Sequence, residues 1–132
     1  MDDLGGQRHR ARERALEILY EAAMKGRSTG EILPKLTLVP DPYTVRLVQS
    51  AETNEARALA LISAHLVDWT LERLALVDRL VMVLAIAELL LDDAPPTPVV
   101  LNEAVELART FSTEDSPSFV NGVLAACVVE LG

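Results

Sequence analysis

LALVDRLVMVLAIAELLL, residues 74–91, is the most apolar segment of the chain. It is either a membrane span or the central helix of a soluble core. Asp78, Arg79 and Glu88 interrupt it, and its longest uninterrupted apolar run is the eight residues Leu80 to Ala87. A spanning helix needs about 20 consecutive apolar residues. The run is therefore read as a helix from Leu76 to Leu91, apolar on nearly every side and buried by neighbouring helices. Its chemistry sets the class of the rest. Leu, Ala and Val dominate a chain that is 50% hydrophobic but only 4% aromatic. No segment alternates apolar and polar residues long enough to argue for a strand. The expectation is an all-α bundle of about seven helices.

Outward from this helix, the pattern gives the other elements. DDAPPTP, 92–98, stops it, and Thr97 with Pro98 reads as the cap and first turn of the next helix. There Leu101, Ala104, Val105 and Ala108 form a stripe. STEDSPS, 112–118, breaks the chain again, with Ser116 as cap and Pro117 as first residue of a last helix. That helix buries Val120, Val123, Leu124, Cys127 and Leu131. Upstream, a long helix is expected from Tyr43 to His65, with a weakened register across Glu52 to Glu55. PKLTLVPDP, 34–42, is a loop, and a short helix lies around Thr29 to Leu36. The first helix runs from Arg8 to Met24 and stops at Gly26. Residues 1–7 read as a flexible tail. At 132 residues the chain fits one domain, 8–132, with subdomains of about 8–67 and 68–132.

The charge is unevenly placed. The chain carries −8 overall, yet residues 1–27 hold six basic and five acidic side chains, a local +1. Residues 28–132 hold six basic and fifteen acidic, a local −9. Bulk electrostatics therefore repel nucleic acid and acidic membranes, and any anion site must be local. The candidate is RHRARERALEILY, 8–20. Ala11, Ala15, Ile18, Leu19 and Ala22 form its apolar stripe, and Arg8 and Arg12 continue that stripe backwards. Arg10 and Arg14 lie on the other face beside Glu13 and Glu17, where i,i+3 pairs are ordinary. Arg8 and Arg12 have no acidic neighbour at i+4, so each needs a distant partner or an exit to solvent. Four arginines near a helix N-terminus also oppose its dipole. An anion, with RNA as the best candidate, competes evenly with a solvated helix end.

Catalysis finds little support. His9 and His65 stand far apart, without metal-ligand spacing. Cys127, between Ala126 and Val128, reads as a buried small hydrophobe rather than a nucleophile. One cysteine forms no internal disulfide and fits a reducing cytosol. No phosphate-binding glycine loop, secretory signal, cofactor motif or metal site is expected, so no catalytic residue is assigned. In FVNG, 119–122, Gly122 inside a helix is read as close packing against a neighbour. Asn121 faces away from the apolar stripe. Phe119, at the stripe's edge, either caps the core or offers a stacking surface.

These segments together resemble the NusB transcription antitermination factors. RHRARERALEILY, DRLVMVLAIAEL and PVVLNEAVELARTFSTEDSPSFVNGVL occur in that family's order and spacing, from Arg8 to about Leu124. The resemblance implies two helical subdomains and a cytoplasmic, non-enzymatic protein. It would bind boxA RNA of ribosomal RNA operons together with NusE, a small ribosomal subunit protein, within an RNA polymerase antitermination complex. It implies an RNA surface of Arg8, His9, Arg12, Phe111, Asp115, Phe119 and Asn121, and an NusE contact at Asp78. A third arginine is usual where His9 stands, so the basic patch is thinner here. Two alternatives remain open. One is the NusB-like domain that precedes some RNA cytosine methyltransferases. The other is a self-associating interaction module, such as a homodimer, without RNA binding.

Overall fold

The computed structural model describes residues 4–131; the expected tail falls at 1–3 outside the described residues, as does residue 132. The described residues form seven α-helices: α1 Leu4–Lys25, α2 Thr29–Ile32, α3 Pro42–Thr53, α4 Glu55–Ala64, α5 Leu76–Leu89, α6 Thr97–Phe111 and α7 Ser116–Leu131. Two 3-10 turns, Leu33–Lys35 and Leu71–Arg73, lie between them, and no strand occurs among the described residues. α5 is the axis. It packs against α1, α3, α4, α6 and α7, and its residues Leu80 to Glu88 are all buried. No helix among the described residues is long and apolar enough to cross a membrane. The buried side chains form one cluster from Ala11 to Cys127, so the two expected subdomains share a core.

Several boundaries differ from the sequence reading, each for a local reason. α1 begins at Leu4, so the segment read as a tail is helical from there on. It ends where expected: Gly26 takes φ +63°, and Gly26 and Arg27 donate N–H bonds to Ala23 and Ala22. That is a Schellman ending, which a left-handed residue permits and glycine adopts without strain. The long helix predicted from Tyr43 is two. It breaks at Asn54, whose side-chain amide donates to the Ser50 carbonyl at 3.0 Å, at the place where the apolar register lapses. α3 starts on Asp41, whose carboxylate accepts from the Tyr43 N–H at 2.7 Å, with Pro42 as first residue. Thr97 is not a cap but already helical, following Pro96. Ser116 also departs from its assigned role, because its hydroxyl accepts from the Thr113 N–H in the preceding turn. α6 is rotated slightly from its predicted stripe: Val100, Ala104, Leu107 and Ala108 are buried, while Leu101 and Val105 are half-buried. Gly122 is not a close-packing glycine. A Cβ there would meet nothing within 4 Å.

Candidate nucleic-acid interface

The basic end of α1 sits among three other helices, and each of its cations meets a different environment. Arg12 is buried at 3% exposure. Its guanidinium donates three hydrogen bonds to the Glu88 carboxylate, from Nε at 2.8 and 3.1 Å and from Nη2 at 2.8 Å. Glu88, 1% exposed, lies on α5 and also accepts the Tyr43 phenol at 2.5 Å. Arg12 Nη1 is 3.8 Å from Glu103 of α6. Arg12, expected on the RNA surface, thus lies beneath the surface in this structure. Its position on the core-facing stripe leads inward, and the Glu88 carboxylate takes its Nε and Nη2 donors in bidentate fashion. Burial disfavours the Arg12 charge, but the hydrogen bonds and charge of Glu88, aided by Glu103, outweigh that and raise its pKa. Burial and the bond to Glu88 likewise raise the Tyr43 phenol.

The remaining cations divide sharply. His9 Nδ1 lies 2.7 Å from Glu103 and Nε2 lies 3.6 Å from Glu13, so two carboxylates hold it. Arg14 is 3.7 Å from Glu17, as its spacing predicts, whereas the Glu13 expected for Arg10 is taken by His9. Arg46 pairs with Asp93, which holds that carboxyl below its usual range. Arg8 is different. It has no carboxylate within salt-bridge distance among the described residues, and its guanidinium carbon stands 3.8 Å from the Tyr43 ring centroid. Arg8 and Arg10 are thus the cations of this end with no anionic partner among the described residues.

The other assigned residues cluster at the α6–α7 junction. Asp78, in the first turn of α5, is buried at 7% and accepts the Ser112 hydroxyl at 2.5 Å. Ser116 donates to Ser112 at 3.0 Å and receives the Thr113 N–H at 3.1 Å. Asp78, expected as an NusE contact, is thus largely covered by this turn. It anchors the turn that carries Asp115 and leads to Phe119. Asp115 and Asn121 are exposed, and Phe119 is half-buried against the core. Phe111, at the end of α6, is 42% exposed and opens onto a hollow lined by Arg14, Leu16, Glu17, Tyr20, Glu21 and Val77. The hollow brings Phe111 to α1. His9 reaches Glu103 near the middle of α6, and Phe111 at its end shares a hollow with Arg14 of α1.

A profile of the NusB family matches residues 9–128. The chain belongs to the NusB family. Solved NusB structures agree with it in fold. T. maritima NusB is 32% identical, with a TM-score of 0.83 over 93% of this chain and 91% of that one. The antitermination factors NusB and NusE in complex with dsRNA give 27% identity and a TM-score of 0.80, over 94% and 97%. The solution structure of NusB from Aquifex aeolicus gives 28% and 0.77, over 93% and 88%.

Within this NusB chain, sequence reasoning missed Tyr43, Glu88 and Glu103. A signal for Glu88 was present. A lone carboxylate deep in an all-apolar helix and an arginine on an apolar stripe each demand a buried partner, and they satisfy one another. Tyr43 carried no such signal. Among the described residues no group of three or more His, Cys, Asp or Glu side chains stands close enough to hold a metal. Cys127 is buried among α4 and α7, and burial pushes its thiol up to about 11.

Proposed function

We propose that this protein is a non-enzymatic, RNA-binding antitermination factor acting in the cytoplasm. It would recognise boxA-type RNA with an NusE-like ribosomal protein during transcription of ribosomal RNA operons. The observation that carries this reading is the arrangement of one edge. Arg8 and Arg10, without an anionic partner among the described residues, stand near the start of α1. Phe111, Asp115 and Asn121 are exposed around the α6–α7 junction, and Phe111 shares a hollow with residues of α1. A solved NusB complex with NusE and dsRNA supports it.

The physical division of labour follows from the environments. Arg8 and Arg10 would hold phosphates, since their charge is not spent internally. His9 adds charge only in competition with Glu103 and Glu13. Phe111 and the free side of Phe119 would stack on unpaired bases, while Asp115 and Asn121 would take base-edge hydrogen bonds. Arg12 and Asp78 act from below, the first fixing α1 against α5 and the second fixing the α6–α7 turn. A protein partner would meet the hollow beside Val77, next in sequence to Asp78, where Tyr20 and Phe111 leave apolar surface exposed.

The test is fluorescence anisotropy with a labelled boxA RNA and a scrambled control, with and without NusE, at two salt concentrations. Preferential, salt-sensitive boxA binding that tightens with NusE is expected. Equal and feeble binding to both RNAs, even with NusE, would sink the reading.

A further inference from the structure

We propose that Tyr43 is a positioning residue for RNA phosphate, acting through Arg8; the inference rests on the RNA-binding reading. The chain of contacts runs outward from the core. Arg12 fixes Glu88 with three hydrogen bonds, and Glu88 accepts the Tyr43 phenol at 2.5 Å. Asp41 fixes the backbone end of the same residue through the Tyr43 N–H at 2.7 Å. The ring, 5% exposed, is held at both ends and presents a face to Arg8 at 3.8 Å.

Stacking of this kind constrains an arginine without consuming its donors. A guanidinium lying over a ring keeps its N–H groups in its own plane, directed away from the ring. Cation–π attraction holds the charge while leaving the edge that reads a phosphate bidentately. A carboxylate partner would have done the opposite, as Glu88 does to Arg12 and Asp93 does to Arg46. Immobilising a long side chain on binding ordinarily weakens affinity by roughly two- to ten-fold. An Arg8 already held over Tyr43 avoids most of that loss. In an acidic protein with few free cations, such preparation matters more than it would in a basic one.

The experiment is a double-mutant cycle on the full chain, read by anisotropy with labelled boxA RNA. Tyr43→Leu is expected to weaken binding roughly three- to ten-fold. In the Arg8→Ala background the same change is expected to do almost nothing, because the residue it serves is gone. Tyr43→Phe keeps the ring but not its bond to Glu88, and should fall between parent and Tyr43→Leu. Arg8→Lys provides a route that leaves Tyr43 intact. It should weaken binding while preserving the salt slope, whereas Arg8→Ala lowers the slope by about one. An upfield ring-current shift of the Arg8 side-chain resonances, lost in Tyr43→Leu, reports the stacking without RNA. RNA binding with additive losses in the cycle, or Arg8→Lys equal to parent, overturns the positioning role alone. A parent protein that shows the ring-current shift but ignores RNA overturns the binding reading and this inference with it.

Discussion

Replacing Arg12 by methionine tests the account of the molecule's interior. The side chain keeps its length and most of its packing but loses the guanidinium. Glu88 then stays 1% exposed, with the Tyr43 phenol as its remaining close hydrogen-bond donor. Removing one member of a buried ion pair typically costs about 3–5 kcal/mol, because the other charge stays buried and uncompensated. Domains of this kind have roughly 5–15 kcal/mol in total. At roughly 4 °C per kcal/mol for this size, Arg12→Met should lower the melting temperature by about 12–20 °C. The double variant Arg12→Met/Glu88→Leu removes both charges together. It leaves the buried Tyr43 hydroxyl without its acceptor, a cost of about 1–3 kcal/mol. The double variant should therefore be more stable than Arg12→Met alone. Thermal unfolding followed by far-UV circular dichroism decides the matter. A single variant melting within a few degrees of the parent, or a double variant worse than the single, would refute the claim that Arg12 is a structural charge.

Three further outcomes are expected. Gly122→Ala should stabilise the protein by about 0.5–1 kcal/mol, since glycine is costly inside a helix and nothing lies within 4 Å of the new methyl; a lower melting temperature would contradict this. Cys127 has its thiol raised from 9.0 to about 11, so the folded state holds that proton more tightly than the unfolded one. The associated stability is complete below pH 9, is lost as pH rises towards 11, and should be missing from a Cys127→Ala control; matching urea midpoints for both proteins across that window would count against it. Phe111→Ala should leave the melting temperature nearly unchanged, because the ring is 42% exposed, yet weaken boxA RNA binding by about 1–3 kcal/mol. Loss of stability with unaltered RNA affinity would make Phe111 a packing residue.

Where sequence and structure part company, burial and distance explain it. Ala11, Ala15, Ile18, Leu19 and Ala22 were legible as one face and are all buried, because helical periodicity is a local property. The same periodicity marked Arg8 and Arg12 as charges needing partners. It did not separate them, because the separation depends on what stands opposite. Arg12 meets a carboxylate 76 residues away, while Arg8 meets an aromatic face on α3. Asp78 was matched to a partner contact by its place in the pattern. Its burial under Ser112, 34 residues on, appears only when α5 and α6 are packed. Gly122 shows the reverse error. A glycine in a helix invites a packing explanation, and only the neighbours reveal that there are none.

The helical class, the central place of the 74–91 segment and the membership of the chain in its family are all legible in the residues alone. These rest on short-range periodicity, turn chemistry and the spacing of motifs, which survive without any knowledge of what packs against what. The tertiary structure alone decided which cations are free. Arg8 and Arg12, on one stripe of α1, are equivalent in the sequence pattern. The charges of this helix end become different only when α3 brings a ring to Arg8, α5 a buried carboxylate to Arg12, and α6 a half-buried carboxylate to His9. The energy of a charge is set by the few ångströms around it, and those neighbours come from distant parts of the chain.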